Sequence, residues 1–334
     1  MKPLLLLLCI VTLSCQVLNG DTPSRGWPAD LPVYDHVVIV VEENKYVDQI
    51  VGSDAAPYLN GVLMAEGATL TRMFAEEHNS EGNYFWLFSG SNQGVGFHDL
   101  IPNPDNVPRY PFTSYNLGAA LLRKGLSFRG YSEDLPHVGD SVSWSGHYAR
   151  KHVPWISFAN LPAGSSPDSS SNLQFQQFPK DFNRLPTVAI VIPNLIHDMH
   201  DPPRDIAVSV RAGDDWLRQN IGSYYEWAKN HNSLLIVTFD ENADSTGYVG
   251  LTDPASRDRD IRNRIPTILA GAWVNHGSFP EGEGVTHVNL LRTLEAMYDL
   301  EPSGDQQPFA VRAGISGATR LTDVFQRPSQ QKRD

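Results

Sequence analysis

Cysteine is nearly missing from this 334-residue chain. Cys9 and Cys15 both fall within the first 20 residues, so the rest of the chain has neither disulfides nor thiolates to draw on. Basic charge is scarce as well: 26 Lys and Arg face 38 Asp and Glu, a formal net charge of −12 with no basic run. Such a chain is not expected to bind nucleic acid or an anionic membrane surface, and any phosphate it handles must be held locally, by metal and hydrogen-bond donors. Long apolar runs are absent too, and no transmembrane segment is expected. Leu4 to Val11, behind Lys2, is too short to span a bilayer and has the layout of a secretory signal peptide over residues 1–20. Thr12-Leu13-Ser14-Cys15 has the outline of a lipoprotein cleavage box, with a poorly fitting Thr at its first position. The expectation is a secreted or periplasmic protein, with a lipid anchor at Cys15 less favoured.

What is present is a repeated arrangement. Three apolar, β-branched runs end in residues suited to metal or phosphate chemistry. Val37 to Val41 leads into Glu42-Glu43-Asn44, Val188 to Ile192 into Pro193-Asn194 and then Asp198 and His200, and Leu234 to Phe239 into Asp240-Glu241. Strands apolar at every position are buried on both faces, as in parallel sheets, and ligands bind beyond their carboxyl ends. Further strands are expected over 68–74, 127–131 and 265–269. Helices are expected over 56–66, 83–89, 115–124, 206–229 and 289–298. Strands alternating with helices indicate one α/β domain over 33–326, with a mostly parallel central sheet, helices on both faces and a polar tail at 327–334. Residues 132–180, rich in Ser, Pro, Gly, Asn and Gln, read as long loops over the crevice.

Glu43-Asn44 and Asp240-Glu241 offer hard oxygen donors for a divalent cation, although acids at strand ends are ordinarily just solvated. His78-Asn79-Ser80-Glu81-Gly82-Asn83-Tyr84 opens a helix. There Ser80 is either an N-cap or a nucleophile that metal coordination would activate. His152, His200 and His287 supply candidates for protonating a leaving oxygen. Asp214 lies on the apolar stripe of its helix and needs a partner there.

Together these segments resemble the phosphoesterase family of bacterial acid phosphatases and phosphatidylcholine-type phospholipases C, with its alkaline-phosphatase-like α/β fold. The resemblance is carried in order by Val40 to Lys45, His78 to Tyr84 with Ser89 to Gly94, Lys151-His152-Val153-Pro154, Pro193-Asn194 with Asp198 to Asp201, Gly213 to Leu217, Asp240-Glu241, Arg264-Ile265-Pro266 and Thr286-His287. It implies a divalent metal ion, identity open, held by Glu43, Asn44, Asp240 and Glu241, with Ser80 as both ligand and nucleophile. Catalytic roles are expected for Ser80 with His200 or His152, and substrate contacts from Asn83, Lys45 and His287. Asp198, His200 and His287 could hold a second metal, or the histidines could bind phosphate directly. Two departures stand out: Pro is common in the family near Glu81-Gly82, and Lys45 replaces a frequent His, adding positive charge beside the phosphate.

The resulting expectation is a metal-dependent phosphomonoesterase acting on small phosphate esters through a phosphoseryl intermediate. A phospholipase C is the alternative, because residues 153–163 read as an exposed apolar loop. A sulfatase lacks support, since Ser80 to Tyr84 contains neither Pro nor Arg. A non-catalytic secreted metal-binding protein is the alternative of another class.

Overall fold

The computed structural model describes residues 31–95, 99–202, 204–243, 263–280, 284–304 and 319–326. The expected signal segment and polar tail lie outside the described residues. The main sheet contains β1 (His36–Glu42), β2 (Ala68–Leu70), β3 (Phe128–Ser132), β4 (Asn172–Gln174), β5 (Val188–Ile192), β6 (Ser233–Phe239), β7 (Thr267–Gly271) and β8 (Gly277–Phe279). Their spatial order is β8-β2-β7-β6-β1-β5-β3-β4. From β6 across to β4 the pairing is parallel throughout, and β7 alone runs against its neighbours. The expected α/β class with a mostly parallel central sheet is therefore what the chain adopts.

The centre is built from β1, β5 and β6, whose registers pair Val38 with both Ala189 and Leu235. Val37 to Val41 and Val188 to Ile192 are buried on every residue, which is why the sequence there is continuous Val and Ile rather than alternating. Parallel alignment brings the carboxyl ends of all three strands to one edge.

Helices α1 (Ser80–Ser89), α2 (Leu117–Arg123), α3 (Ile206–Asn220), α4 (Gly222–Ala228) and α5 (His287–Met297) cover the sheet. Helix α1 packs on α5 and α2, whereas α3 packs on α4, and α4 reaches β6 and β7. The single helix expected over 206–229 is broken at Ile221, where the glycine that follows opens the second segment. The helix expected over 56–66 is a wide π turn, Leu59–Leu63, continued by Met64–Glu66. Asp214 finds its partners at the start of that turn, its two oxygens accepting from the amides of Tyr58 and Leu59 at 2.9 and 2.8 Å.

Two expectations about the middle of the chain are corrected. Residues 132–180 are not loops alone, since they supply β4 and a small ribbon pairing Trp144–Ser145 with Tyr148–Ala149. The stretch 153–163 is not an exposed apolar loop: Val153, Trp155, Phe158 and Leu161 are buried. Gly130 on β3 makes this possible, because a Cβ there would lie 2.1 Å from the Trp155 ring. The Trp155 indole N–H donates to Asn172 at 2.9 Å, which removes the cost of burying it.

Candidate active site

Three backbone links at the carboxyl edge gather the site. Asp240 N–H donates to the Glu42 carbonyl at 2.9 Å, tying the end of β6 to β1. Glu43 N–H donates to the Asp198 carbonyl at 2.7 Å, tying the loop after β5 to the same place. Asn44 takes a left-handed φ of 50°, which Asn tolerates better than most residues, and its N–H donates to Asp240 Oδ1 at 3.1 Å. Residues nearly two hundred positions apart thereby become neighbours.

Ser80 begins α1 directly after Asn79, whose φ is 85°, so the chain turns sharply just before the hydroxyl. Ser80 Oγ donates to Glu43 Oε2 at 3.1 Å. Tyr84, one turn later on α1, donates to Glu43 Oε1 at 2.5 Å and stacks on His152 with ring centroids 5.0 Å apart. The His152 Nε2 lies 3.2 Å from Glu43 Oε1 but lacks hydrogen-bond geometry, and its Nδ1 lies 3.7 Å from Asp198 Oδ2. On the far side, Glu241 Oε2 accepts from Asn79 N–H at 2.9 Å and lies 3.1 Å from His78 Nδ1.

Several buried atoms here have no hydrogen-bond partner: Asn44 Oδ1, Asp240 Oδ2, Asp198 Oδ2 and His152 Nε2. Buried polar atoms are normally satisfied, and a cluster of exceptions calls for a cause such as an ion. The charges say the same. Burial, reinforced by Asp240 and Asp198, pushes the Glu43 carboxyl well up. Burial likewise raises Asp240, offset in part by the Asn44 amide and the Ser80 hydroxyl. Burial and Asp240 push Glu241 well up, and burial does the same to Asp198. Carboxylates crowded in this way repel one another unless a cation sits among them. Glu43, His152 and Asp198 in particular present donor atoms within 4.8 Å of one another, so this buried group could hold a metal ion. His152 suits that use, because burial, Lys151 and His200 push its pKa well down and leave the imidazole neutral.

Other residues singled out in the sequence stand elsewhere. His287 does not join Asp198 and His200. Its Nδ1 meets Glu76 Oε2 at 2.8 Å, and its Nε2 meets the Phe239 carbonyl at the same distance, so neither nitrogen is open to metal or phosphate. Asn83 is folded back onto the Glu77 backbone, accepting from its N–H at 2.9 Å and donating to its carbonyl at 2.7 Å. Lys45 is buried, with its ammonium on the carbonyls of Met199 at 2.6 Å and Asn44 at 3.1 Å, where it clamps the loop carrying His200. The His200 ring is paired through Nδ1 with Asp201 Oδ1 at 2.9 Å and is partly exposed. Around Asp198 the facing side chains are those of Glu43 and His152, whereas His200 reaches it through its backbone N–H, which donates to Asp198 Oδ1 at 2.8 Å. Tyr84 and the Lys151–Asp99 pair belong to the site and were not anticipated. Tyr84 left a signal, since it lies four residues from Ser80 on the same helix face.

The fold is the one seen in solved structures of the alkaline phosphatase superfamily. Solved structures support the fold: an alkaline phosphatase superfamily protein from Vibrio parahaemolyticus (TM-score 0.53, 15% identity, covering 82% of this chain and 69% of that one). The lipoteichoic acid synthase LtaP of Listeria monocytogenes matches similarly (TM-score 0.51, 13% identity, 85% and 78% covered). Residues 53–301 match the Phosphoesterase family, and the chain belongs to it. A phosphatidylinositol-3-phosphatase of Mycobacterium tuberculosis is 41% identical over 288 residues, covering 85% of this chain and 84% of that protein. A probable acid phosphatase of Kluyveromyces lactis is 27% identical over 298 residues, covering 86% and 63%. The protein is a hydrolase acting on phosphoester bonds.

Proposed function

We propose that the chain is an exported, metal-dependent phosphomonoesterase acting through a phosphoseryl intermediate at Ser80. The observation that carries this reading is the Ser80 hydroxyl, 3.1 Å from Glu43, beside the unpartnered buried oxygens of Asn44 and Asp240. Those atoms, with Glu43 and Glu241, are the hard-oxygen donors this reading assigns to a divalent cation. A cation there would supply positive charge for the attacking and non-bridging oxygens. The residues do the rest. Glu43 holds the Ser80 hydroxyl hydrogen, leaving an oxygen lone pair for phosphorus. Ser80 Oγ bonds to phosphorus as its proton passes to Glu43 Oε2 and the bond to the leaving alcohol breaks. His200, oriented by Asp201 through Nδ1, gives a proton from Nε2 to the departing oxygen, and water then cleaves the phosphoserine by the reverse path. His152, buried and neutral, suits orientation or ligation better than proton donation.

Monoester hydrolysis is favoured over phospholipase C action, because the apolar residues that argued for a lipid-facing loop are core. The phosphatidylinositol-3-phosphatase relative suggests inositol-lipid phosphomonoesters among the substrates. Export rests on the composition of residues 1–20.

The test is Ser80→Ala. Its kcat for p-nitrophenyl phosphate should fall by roughly 10³-fold or more, with the circular dichroism spectrum unchanged. Rapid acid quench of the wild type should trap phosphate on the peptide containing Ser80. Near-normal turnover by a folded Ser80→Ala protein would exclude the phosphoseryl route.

A further inference from the structure

A phosphate monoester brings a dianion to a crevice already lined with carboxylates. A metal ion offsets part of that charge, but the non-bridging oxygens also need donors, since charge concentrates on them during phosphoryl transfer. Three cationic side chains lie close by. The Lys45 ammonium is committed to two backbone carbonyls. Arg150, half-buried, spends its terminal nitrogens on the Tyr110 hydroxyl at 2.8 Å and the Ser141 carbonyl at 3.3 Å. Lys151 remains. Its Nζ donates to Asp99 Oδ2 at 2.6 Å, and its side chain is 11% exposed.

The position of this ion pair is informative. Lys151 immediately precedes His152, whose Nε2 lies 3.2 Å from Glu43. Asp99 Oδ1 accepts from the backbone N–H of Glu81, the residue after Ser80, at 3.2 Å. The pair thus spans the crevice from the His152 turn to the first turn of α1 and closes a ring around Ser80. The carboxylates of Glu43, Asp99 and Asp240 also face the ammonium and, against the effect of burial, hold it firmly protonated. A lysine paired only with internal carbonyls is structural, but one whose partner is a carboxylate 30% exposed can share its donors with an incoming anion.

We propose that Lys151 is a catalytic residue that binds the non-bridging phosphate oxygens of the substrate, and that Asp99 is the positioning residue that holds its ammonium over Ser80. The inference rests on the phosphomonoesterase reading. With one N–H held by Asp99, the Lys151 ammonium has two donors left to offer the phosphoryl oxygens. Asp99 keeps the flexible side chain extended across the crevice, so less rotamer freedom is lost when substrate binds.

The experiment uses the full chain with its bound metal, assayed with p-nitrophenyl phosphate and with inorganic phosphate and orthovanadate as competitive inhibitors. Lys151→Met keeps the length of the side chain and removes its charge. It should lower kcat/KM by about 10²-fold and raise both inhibition constants by about tenfold. Lys151→Arg, which keeps the charge, should recover most of both losses. Asp99→Asn should raise KM severalfold with little change in kcat, because the ammonium remains but is less well placed. If Lys151→Met fails to fold, the Asp99→Asn/Lys151→Met double variant removes the partner's charge along with the ammonium and should show the same losses. An active wild type whose Lys151→Met or double variant binds phosphate and turns over within about threefold of normal overturns the inference alone. A wild type that hydrolyses no phosphate ester sinks the phosphatase reading, and this inference with it.

Discussion

Two buried polar regions lie on either side of the end of β6, and they differ in one respect. Behind the strand, the Glu76 carboxylate accepts from the Val288 amide and faces His287, and His287 uses its second nitrogen on Phe239. Every polar atom of that pair has a partner within the protein. In front of the strand, Asp240, Asn44, Asp198 and His152 each keep a buried atom unpaired. Both regions contain an acid and a histidine, so residue type does not separate them. What separates them is hydrogen-bond completeness: the first is finished by the fold, and the second is left for something the fold does not supply.

The sharpest way to break this comparison is Asp240→Asn. If the crevice is organised around a cation, removing one carboxylate should cut turnover by on the order of 10³-fold and lower the metal bound per chain. The metal-stripped variant should melt no lower than stripped wild type, because a repelling buried charge has gone. Elemental analysis and calorimetry read these quantities separately. A metal-stripped variant that melts well below stripped wild type would mean that Asp240 is structural after all.

His287→Ala should do the reverse. Truncating one partner of a buried ion pair leaves Glu76 unpaired and costs about 3–5 kcal/mol of stability. Burial works against a charged His287, but Glu76 and the Phe239 carbonyl outweigh it and raise the imidazole pKa. Protein that remains folded should keep its metal content and a kcat within a few-fold of wild type. Loss of metal from folded His287→Ala would contradict the division drawn here.

This contrast also marks what could be read in the sequence. The central strands were legible because runs of Val and Ile buried on both faces have few other uses, and the acids at their ends followed from parallel alignment. Asn83, Lys45 and His287 were misplaced because a side chain's identity says nothing about whether backbone groups already occupy it. Asn83 is consumed by Glu77 six residues away, which is a local turn, whereas Lys45 reaches the Met199 carbonyl and His287 the Phe239 carbonyl, 154 and 48 residues distant. The Lys151–Asp99 pair spans 52 residues and had no local pattern to announce it. The apolar stretch 153–163 was misjudged because its burial depends on the missing side chain of Gly130 on another segment.

Within the crevice, His200 tests the distinction between a partly exposed histidine and the buried His152. If His200 protonates the leaving oxygen, His200→Ala should slow alkyl phosphates by about 10²-fold while p-nitrophenyl phosphate, whose leaving group needs little protonation, changes far less. Metal content should not change. Equal losses on both substrates together with lost metal would make His200 a ligand instead.

The smallest effect concerns Glu81, which follows Ser80 in the first turn of α1 and has one buried oxygen unpaired. Burial, with Asp99 adding to it, pushes its carboxyl from the ordinary 4.5 up to about 9, although Arg150 and Lys151 pull it back. Its neutral form is therefore the one the folded state favours. The folded chain holds this proton across a pH range where the unfolded chain has lost it, so stability falls as pH rises. The contribution is complete below the unfolded value and fades as pH climbs toward the folded one. Burial also raises Glu77, to about 7, so it adds to the lower half of the same window. The melting temperature should accordingly decline between about pH 5 and about pH 9, and Glu81→Gln, which cannot ionise, should flatten the upper half of that decline. A profile of the variant that runs parallel to wild type would show that Glu81 ionises normally in the fold, and that its unpaired oxygen is met by water rather than by a retained proton.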